Sequence, residues 1–174
     1  MRTSYRLNGY GELIESIARL HSPKRIVEFG VLDGYSLTHL MRGAPKAHIE
    51  AYDIFDRYEF NHADRKGLQE VFGDVIRYGD FRAKHIDFGL ASIDLLHIDI
   101  SNTGDVYEQV FRDYMPRVSP GGVVLLEGGS RARDNLAWMI KFGKRPIRPV
   151  LEECPYEYFT FEPFPSLTIV YNNI

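Results

Sequence analysis

Glycine and acidic residues are spaced near the start of this sequence in a way that could bind a small polar ligand. Residues 26–29 are apolar apart from Glu28, as a buried strand would be, and Gly30 and Gly34 follow four residues apart. Glycine lets the backbone turn tightly and lets a ligand approach closely. Residues 36–41 then have helical spacing, and the start of a helix offers unpaired N–H groups. The stretch predicts a ligand-binding turn between a strand and a helix.

Acidic residues also follow four later apolar runs of the chain. These residues are Asp53, Asp80, Asp99 and Glu127. One such acid could simply cap a helix, but an acid after every strand predicts a polar rim where the strands end. A rim of carboxylates repels a pyrophosphate and suits a ligand with hydroxyl groups, an amine or a sulfonium.

The glycine spacing excludes two common nucleotide motifs. The pattern Glu28-x-Gly30-x-x-x-Gly34 lacks the third glycine of the dinucleotide-binding G-x-G-x-x-G, and no Gly-Lys-Ser/Thr follows it as in a P-loop. A dinucleotide-binding oxidoreductase fits the order of the elements and is kept as an alternative, but it lacks this glycine.

Alternating helices and strands must hold these residues in place. The hydrophobic periodicity predicts an α/β fold, Rossmann-like and doubly wound, with a mixed sheet of about seven strands and the last strand antiparallel. Predicted helices cover residues 10–21, 36–41, 61–73, 81–90 in part, 106–115 and 132–142. Predicted strands cover residues 24–29, 48–54, 75–80, 93–100 and 123–127, followed by a hairpin over 156–161 and 166–171.

Charge and composition restrict the function classes further. The net charge of −3 gives no general attraction to nucleic acid or to an anionic membrane, and no apolar run is long enough to span a bilayer. Cys154 is the single cysteine, so no internal disulfide forms and a cytoplasmic location is expected. We expect one domain over residues 1–174 and no nucleic-acid or membrane partner.

The glycine stretch resembles motif I of the class I S-adenosylmethionine-dependent methyltransferases, in the style of the small-molecule O-methyltransferases. The matching residues read Val27-Glu28-Phe29-Gly30, then Gly34 and Ser36. The resemblance runs from about Ile26 to the end of the chain. It includes an acid at Asp53, the run Gly79-Asp80-Phe81, the turn Ser119-Pro120-Gly121-Gly122 and the terminal hairpin.

The resemblance implies a cofactor site around this motif. Residues 1–22 would be an N-terminal helical segment and residues 26–174 the cofactor-binding core. Gly30, Gly34 and Ser36 would line the S-adenosylmethionine, and Asp53 would accept hydrogen bonds from both ribose hydroxyls. Glu28 would either anchor the methionine amino group or order the loop, and loop ordering is favoured.

Two residues after the third strand complete the implied cofactor site. Asp80 would accept a hydrogen bond from the adenine amino group, and Phe81 would pack near the base. Plain core packing of Phe81 is an equal alternative.

The resemblance also implies a catalytic edge. Metal-dependent relatives bind a divalent cation such as Mg²⁺ with an acid at the position of Asp99 and another at that of Glu127. This chain departs from their pattern, because Asn102 stands where they carry Lys or His and Gly128 replaces a further ligand. Without a metal a general base is needed, and His97 and Asp99 are the candidates, although His97 could instead be a structural partner of a nearby carbonyl.

The acceptor side is predicted from residues near the end of the chain. Arg131 and Arg133 could hold an acidic or sugar-like acceptor. Four aromatic residues could form a wall against the acceptor; they are Trp138, Tyr156, Tyr158 and Phe159. Alternatively, these side chains pack in the core or form a dimer face.

Other segments of this short chain, or a second subunit, are expected to cover the acceptor site. Residues 55–60 are predicted to form a mobile lid, and His62 and His85 could border the pocket. Residues 1–20 and 55–66, or a second subunit of a homo-oligomer, would cover the acceptor.

The sequence thus predicts an S-adenosylmethionine-dependent methyltransferase that acts on a small molecule, with O-methylation favoured. A non-catalytic or regulatory S-adenosylmethionine-binding protein is the first alternative, since Lys or His is absent at position 102. The dinucleotide-binding oxidoreductase is the second.

Overall fold

The computed structural model describes residues 3–55, 61–82 and 86–173. The chain forms two compact units, Met1–Phe88 and Gly89–Ile174. In the described residues, no helix has the length and apolar character needed to cross a membrane.

The first unit alternates helices with parallel strands. Its elements are α1 (Tyr10–His21), β1 (Arg25–Phe29), α2 (Tyr35–Gly43), β2 (His48–Asp53), α3 (Arg65–Phe72) and β3 (Ile76–Tyr78), with 3₁₀ turns at Ser4–Leu7 and Gly73–Val75. Strand β2 pairs in parallel with β1 on one side and with β3 on the other. The carboxyl ends of these three strands therefore lie along one edge.

Helix α1 shows how the apolar pattern sets an element. Its buried face includes Tyr10, Ile14 and Ala18, which recur at helical spacing. The helix ends at Ser22, which adopts a left-handed conformation with φ of 47°, and proline follows it and cannot continue the helix.

The second unit combines parallel and antiparallel pairing. Its elements are β4 (Ile93–Ile98), α4 (Gly104–Gln109) continued by a π turn (Val110–Tyr114) and a 3₁₀ turn (Met115–Arg117), β5 (Val118–Glu127), α5 (Arg131–Asp134), α6 (Ala137–Lys141), α7 (Arg148–Glu152), β6 (Tyr158–Phe161) and β7 (Leu167–Tyr171). Strand β5 is parallel to β4 and antiparallel to β7, and β6 forms a hairpin with β7.

The strand order confirms the predicted fold class. The seven strands are ordered β3-β2-β1-β4-β5-β7-β6, and β7 runs antiparallel to β5. The predicted Ser119-Pro120-Gly121-Gly122 turn lies inside β5, where it is accommodated by a break in register. Pairing passes from Ile93 with Val118 directly to Leu95 with Val123, so the register between β4 and β5 skips these four residues.

Two predicted helices do not form as single helices in the structure. The helix predicted over residues 132–142 is instead α5 and α6, separated at Asn135 and Leu136. The Asp134 carboxylate accepts hydrogen bonds from the main-chain N–H groups of Ile147 and Arg148, at 2.7 and 2.9 Å. The Asn135 side chain donates to the main-chain carbonyl oxygen of Arg131. Residues 81–82 and 86–90 form turns and irregular chain where a short helix was predicted.

A buried carboxylate on β2 joins the three strands of the first unit. Glu50 accepts hydrogen bonds from Arg25 at 2.6 Å, from Arg77 and from the Tyr52 hydroxyl at 3.1 Å. Burial raises the pKa of Glu50, but the hydrogen bonds and charges of Arg25 and Arg77 outweigh burial and lower it overall. The Glu50 carboxylate is therefore stabilised in its charged form.

Replacing Glu50 tests this contribution. Because the folded-state pKa is lowered, the stabilisation is present above the ordinary glutamate pKa and is lost as the pH falls through the folded-state value. Glu50→Gln should lower the free energy of unfolding by about 1–3 kcal/mol at neutral pH, and the deficit should shrink in acid. Urea unfolding at neutral and at acidic pH measures this deficit, and Glu70→Gln at an exposed position is the control. A deficit independent of pH would contradict this assignment.

Candidate active site

Asp53 ends β2, and its buried carboxylate braces the glycine turn. Oδ2 accepts hydrogen bonds from the main-chain N–H groups of Val31 at 2.8 Å and Leu32 at 3.3 Å. Oδ1 accepts from the N–H of Phe55 at 3.1 Å and from Nδ2 of Asn61 at 2.5 Å. A carboxylate has about four acceptor positions, so all of them are in use. Asp53 therefore fixes the turn, and its predicted contact with ribose stays a prediction.

The glycine turn itself depends on left-handed backbone at Gly34. This residue is the N-cap of α2, with φ of 73° and ψ of 14°. A β-carbon there would lie 2.6 Å from the Phe72 ring and 3.1 Å from Leu68. Glycine is required both by the conformation and by the close approach of α3.

Glu28 connects β1 to the helix after the turn. Its side chain is fully buried, and Oε1 accepts a hydrogen bond from the Ser36 hydroxyl at 2.6 Å. Of the two roles expected for Glu28, this contact supplies the ordering of the loop. The roles of Glu28 and Ser36 toward a cofactor stay predictions.

Asp80 and Phe81 follow β3 but play different parts. Asp80 is half-buried and accepts a hydrogen bond from the main-chain N–H of Arg82 at 2.9 Å. Phe81 is buried and packs edge-to-face on Phe29, with ring centroids 5.4 Å apart, and Phe88 packs on the same ring. Phe81 thus belongs to the core, and its contact with a base stays a prediction.

The first unit therefore gathers the predicted cofactor residues at the edge where β1, β2 and β3 end. The main-chain N–H of Gly30 donates to the main-chain carbonyl oxygen of Tyr52 at 2.9 Å. The N–H of Gly79 donates to the main-chain carbonyl oxygen of Asp53 at 3.0 Å. These bonds hold neighbouring strand ends together. The carboxylates beside the glycine turn hold its backbone in place, and the turn contains no lysine that could contact a phosphate.

A buried ion pair lies at the end of β5 in the second unit. The Arg133 guanidinium donates from Nε to Oε1 of Glu127 at 2.6 Å and from Nη2 to Oε2 at 2.9 Å. Arg133 and Glu127 are 4% and 5% exposed. The paired bonds use the planar fork of arginine, which matches a carboxylate bidentately. Ser130 caps α5 and accepts from the Arg133 N–H at 3.1 Å, which places Arg133 over Glu127.

Asn102 ties the ion pair to the two strand ends. Its Nδ2 donates to the carbonyl oxygens of Ile98 at 3.0 Å and Glu127 at 2.8 Å. The main-chain carbonyl oxygen of Asn102 accepts a hydrogen bond from Nη2 of Arg133 at 3.2 Å. The Tyr107 hydroxyl also donates to the Glu127 carbonyl, at 3.1 Å. These bonds make the cluster rigid.

Burial and charge act against each other on the ion pair. Burial raises the pKa of Glu127, and the hydrogen bonds and charge of Arg133 offset only part of that effect. Burial acts to lower the pKa of Arg133, but the Glu127 carboxylate outweighs it, so the pKa of Arg133 is raised. Arg133 therefore stays protonated across the pH range in which the protein is folded.

His97 and Asp99 lie close enough to influence this pair. The charge of His97 acts to lower the pKa of Glu127, and that of Asp99 acts to raise the pKa of Arg133. His97 has no exposed surface, whereas Asp99 is half-buried just after β4. Full burial favours the structural interpretation of His97, and both catalytic assignments stay predictions.

The donor set does not fit the divalent cation expected at Asp99 and Glu127. Both carboxylate oxygens of Glu127 are occupied by Arg133, whose positive charge would repel an ion beside it. Within residues 3–55, 61–82 and 86–173, no group of three or more His, Cys, Asp or Glu side chains is arranged to hold a metal.

The predicted acceptor residues are only partly brought together. The Trp138 ring lies over Arg133, with its centroid 5.0 Å from Cζ, while Arg131 is exposed. Tyr156 packs near Phe111, with ring centroids 6.0 Å apart, and Phe159 is 56% exposed. The aromatic wall, which includes Tyr158, stays a prediction.

Several other expectations concern the loops. His62 is exposed, while His85 and residues 56–60 of the predicted lid lie outside the described residues. Gly128 and Gly129 form the turn after β5, where a β-carbon on Gly129 would lie 2.2 Å from the Thr168 hydroxyl. These two glycines are thus required by packing.

Some site residues were not predicted from the sequence. Asn61 binds Asp53, and Tyr107 binds the Glu127 main chain. Neither has a local signal, since the side chains meet only in the folded chain. The Ser130 cap was a usable signal for Arg133, because it places that residue on the first turn of α5.

Comparison with known proteins identifies the family. Residues 27–127, more than half of the chain, match a family model described as a methyltransferase domain. The chain belongs to this methyltransferase family. Membership confirms the predicted methyltransferase and favours it over the dinucleotide-binding oxidoreductase.

Solved structures of methyltransferases share the fold. One is the O-methyltransferase TomG from Streptomyces achromogenes in complex with SAM, at 18% identity and a TM-score of 0.62, covering 95% of this chain and 80% of that one. Another is SAH-bound PaMTH1 from Podospora anserina, at 18% identity and a TM-score of 0.66, covering 98% of this chain and 79% of that one. A third is the O-methyltransferase from Bacillus cereus in complex with SAH, at 13% identity and a TM-score of 0.64, covering 95% of this chain and 81% of that one.

Alanine at Gly34 tests the close packing of the methyltransferase turn. Gly9 is a matched control, because it is the N-cap of α1 with φ of 65° and its β-carbon would meet nothing nearer than 3.5 Å. Gly9→Ala should cost about 1–2 kcal/mol for the left-handed backbone. Gly34→Ala should cost about 1–3 kcal/mol more, because Phe72 must move. Equal losses in denaturant unfolding would show that the contact with α3 carries no cost.

A double-mutant cycle tests the ion pair. Glu127→Gln and Arg133→Met should each lower the free energy of unfolding by about 3–5 kcal/mol, because each leaves one buried partner uncompensated. The double variant should lose less than the sum of the two. Exposed Arg131→Met should stay within about 0.5 kcal/mol of the wild type. Additive losses would mean that the two side chains are not coupled.

Proposed function

We propose that this methyltransferase transfers a methyl group from S-adenosylmethionine to a hydroxyl oxygen of a small molecule. The observation that carries the proposal is the glycine turn braced by Asp53 in a chain of this family. TomG was solved with SAM and PaMTH1 with SAH, which supports the same cofactor here. O-methylation is favoured because TomG and the Bacillus cereus protein are O-methyltransferases.

The cofactor would bind at the turn between β1 and α2. S-adenosylmethionine supplies an activated methyl group on a sulfonium. Gly30 would let the ligand approach the backbone, and Gly34 would give the turn its left-handed end. Asp53 and Glu28 hold the turn in its shape. Asp80 is the carboxylate of this edge for the adenine amino group, and Phe81 supports the edge from the core.

The acceptor hydroxyl must lose its proton as its oxygen forms the new bond to carbon. The electrons of the carbon–sulfur bond then stay on sulfur. Asp99 is half-buried and is the group that we propose to receive the proton, with His97 as the alternative. The enzyme otherwise contributes positioning, which accounts for much of the rate of such transfers.

Other features of the protein remain part of the proposal. Residues 1–174 would act as one methyltransferase domain, alone or as a homo-oligomer that covers the acceptor. The net charge of −3 supports a small-molecule acceptor and no nucleic-acid partner. The unpaired thiol of Cys154 is compatible with a cytoplasmic location.

Calorimetry with S-adenosylhomocysteine tests the cofactor assignment. The wild-type chain should bind it, and Asp53→Ala should weaken binding by at least about tenfold because the braced turn is lost. Exposed Glu70→Ala is the control and should bind as the wild type does. Thermal unfolding of each variant checks that it is folded.

The wild-type measurement decides the main proposal. No measurable binding of S-adenosylhomocysteine by the folded wild type would overturn it. Tight binding without turnover over a broad panel of hydroxyl compounds would instead favour a non-catalytic S-adenosylmethionine-binding protein.

A further inference from the structure

Two polar atoms in the ion-pair cluster are buried and have no hydrogen-bond partner among the residues that the structure describes. They are Nη1 of Arg133 and Oδ1 of Asn102. The two residues are in contact, since Nη2 of Arg133 donates to the main-chain carbonyl oxygen of Asn102 at 3.2 Å. A buried donor left unsatisfied on a charged group is costly, and native structures rarely keep one without a ligand or water.

The chemistry of the two atoms selects their ligand. Nη1 of Arg133 can only donate and carries positive charge, whereas Oδ1 of Asn102 can only accept. A hydroxyl group satisfies both, because its oxygen accepts from Nη1 and its hydrogen is donated to Oδ1. A metal ion or an ammonium group would be repelled by the guanidinium, and a carboxylate could not donate to Oδ1.

We propose that Arg133 takes the place of a divalent cation in this methyltransferase and that its Nη1, together with Oδ1 of Asn102, binds the acceptor hydroxyl. The inference rests on the proposed O-methylation. Glu127 is then the anchor of the guanidinium and not a metal ligand. A fixed positive charge beside a hydroxyl lowers the pKa of that hydroxyl and so eases loss of its proton. Asn102 is an amide and only accepts the hydrogen bond, so the proton itself passes to Asp99, the base proposed above.

Trp138 provides a reporter for this cluster. Its ring lies 5.0 Å from Cζ of Arg133, it is half-buried, and it is the single tryptophan of the chain. A ligand that reaches the buried Nη1 has to shift this ring or change its surroundings. Tryptophan emission therefore reports binding at Arg133 without any need for turnover.

The first experiment titrates Mn²⁺, which quenches tryptophan emission at short range, and follows thermal unfolding with Mg²⁺. The wild type and the control Arg112→Lys, at an exposed arginine, should show neither saturable quenching nor stabilisation at millimolar metal. Saturable quenching that is lost in Glu127→Gln would overturn the proposal, because Glu127 would then be a metal ligand.

The second experiment compares phenol with anisole as probes of the same reporter. Phenol donates and accepts, whereas anisole only accepts. Phenol should change Trp138 emission saturably, and anisole should bind at least about tenfold more weakly. Arg133→Lys, which keeps the charge but loses the fork, should weaken phenol binding to the level of anisole. The control Arg112→Lys, at an exposed arginine, should leave phenol binding unchanged.

Two outcomes of the second experiment would overturn the proposal. If phenol leaves the emission unchanged, or if phenol and anisole change it equally, the cluster holds water and not the acceptor hydroxyl. The comparison of the two probes on the wild type decides this even if Arg133→Lys does not fold. Calorimetry with S-adenosylhomocysteine does not involve Arg133, so failure of the proposed function is detected separately.

Discussion

A buried carboxylate needs hydrogen-bond donors, and this requirement shapes the strand ends of both units. Asp53 meets it with main-chain N–H groups and Asn61, and Glu127 meets it with the guanidinium of Arg133. In each case the donors come from the loop that follows a strand or from the helix after it. Burying these charges without donors would cost several kcal/mol. The loops are therefore held by the acids that were predicted to bind ligands.

This arrangement separates two functions that the sequence pattern had merged. An acid at a strand end can contact a ligand, or it can hold the loop that contacts the ligand. Glu28 is committed to Ser36, and all acceptor positions of Asp53 are used. These acids shape the backbone of the glycine turn, where we propose that the cofactor binds. A preorganised turn reduces the ordering cost of binding.

The second unit departs from the metal-dependent pattern in a chemically consistent way. With Asn102 in place of Lys or His, its amide is used as a clamp between the ends of β4 and β5. Glu127 is then compensated by Arg133, which is delivered by a helix that Ser130 caps. A guanidinium differs from a metal ion in that it offers directed hydrogen bonds and no open coordination position. The cluster keeps a positive charge at this edge with a different set of atoms.

The sequence alone determined the alternation of helices and strands and the glycine turn, because periodicity and turn residues are local signals. The methyltransferase family followed from the resemblance of the motifs. The sequence also marked Glu28, Asp53 and Glu127, since an acid that ends an apolar run is visible without a structure. Only the tertiary structure decided what those acids bind. Asn61 stands eight residues from Asp53 and outside any helix or strand, and Arg133 stands six residues from Glu127 on the short helix α5. No periodicity links either partner to its acid. Likewise, helix 132–142 was broken by long-range bonds from Asp134 to residues beyond it, which a local pattern cannot contain.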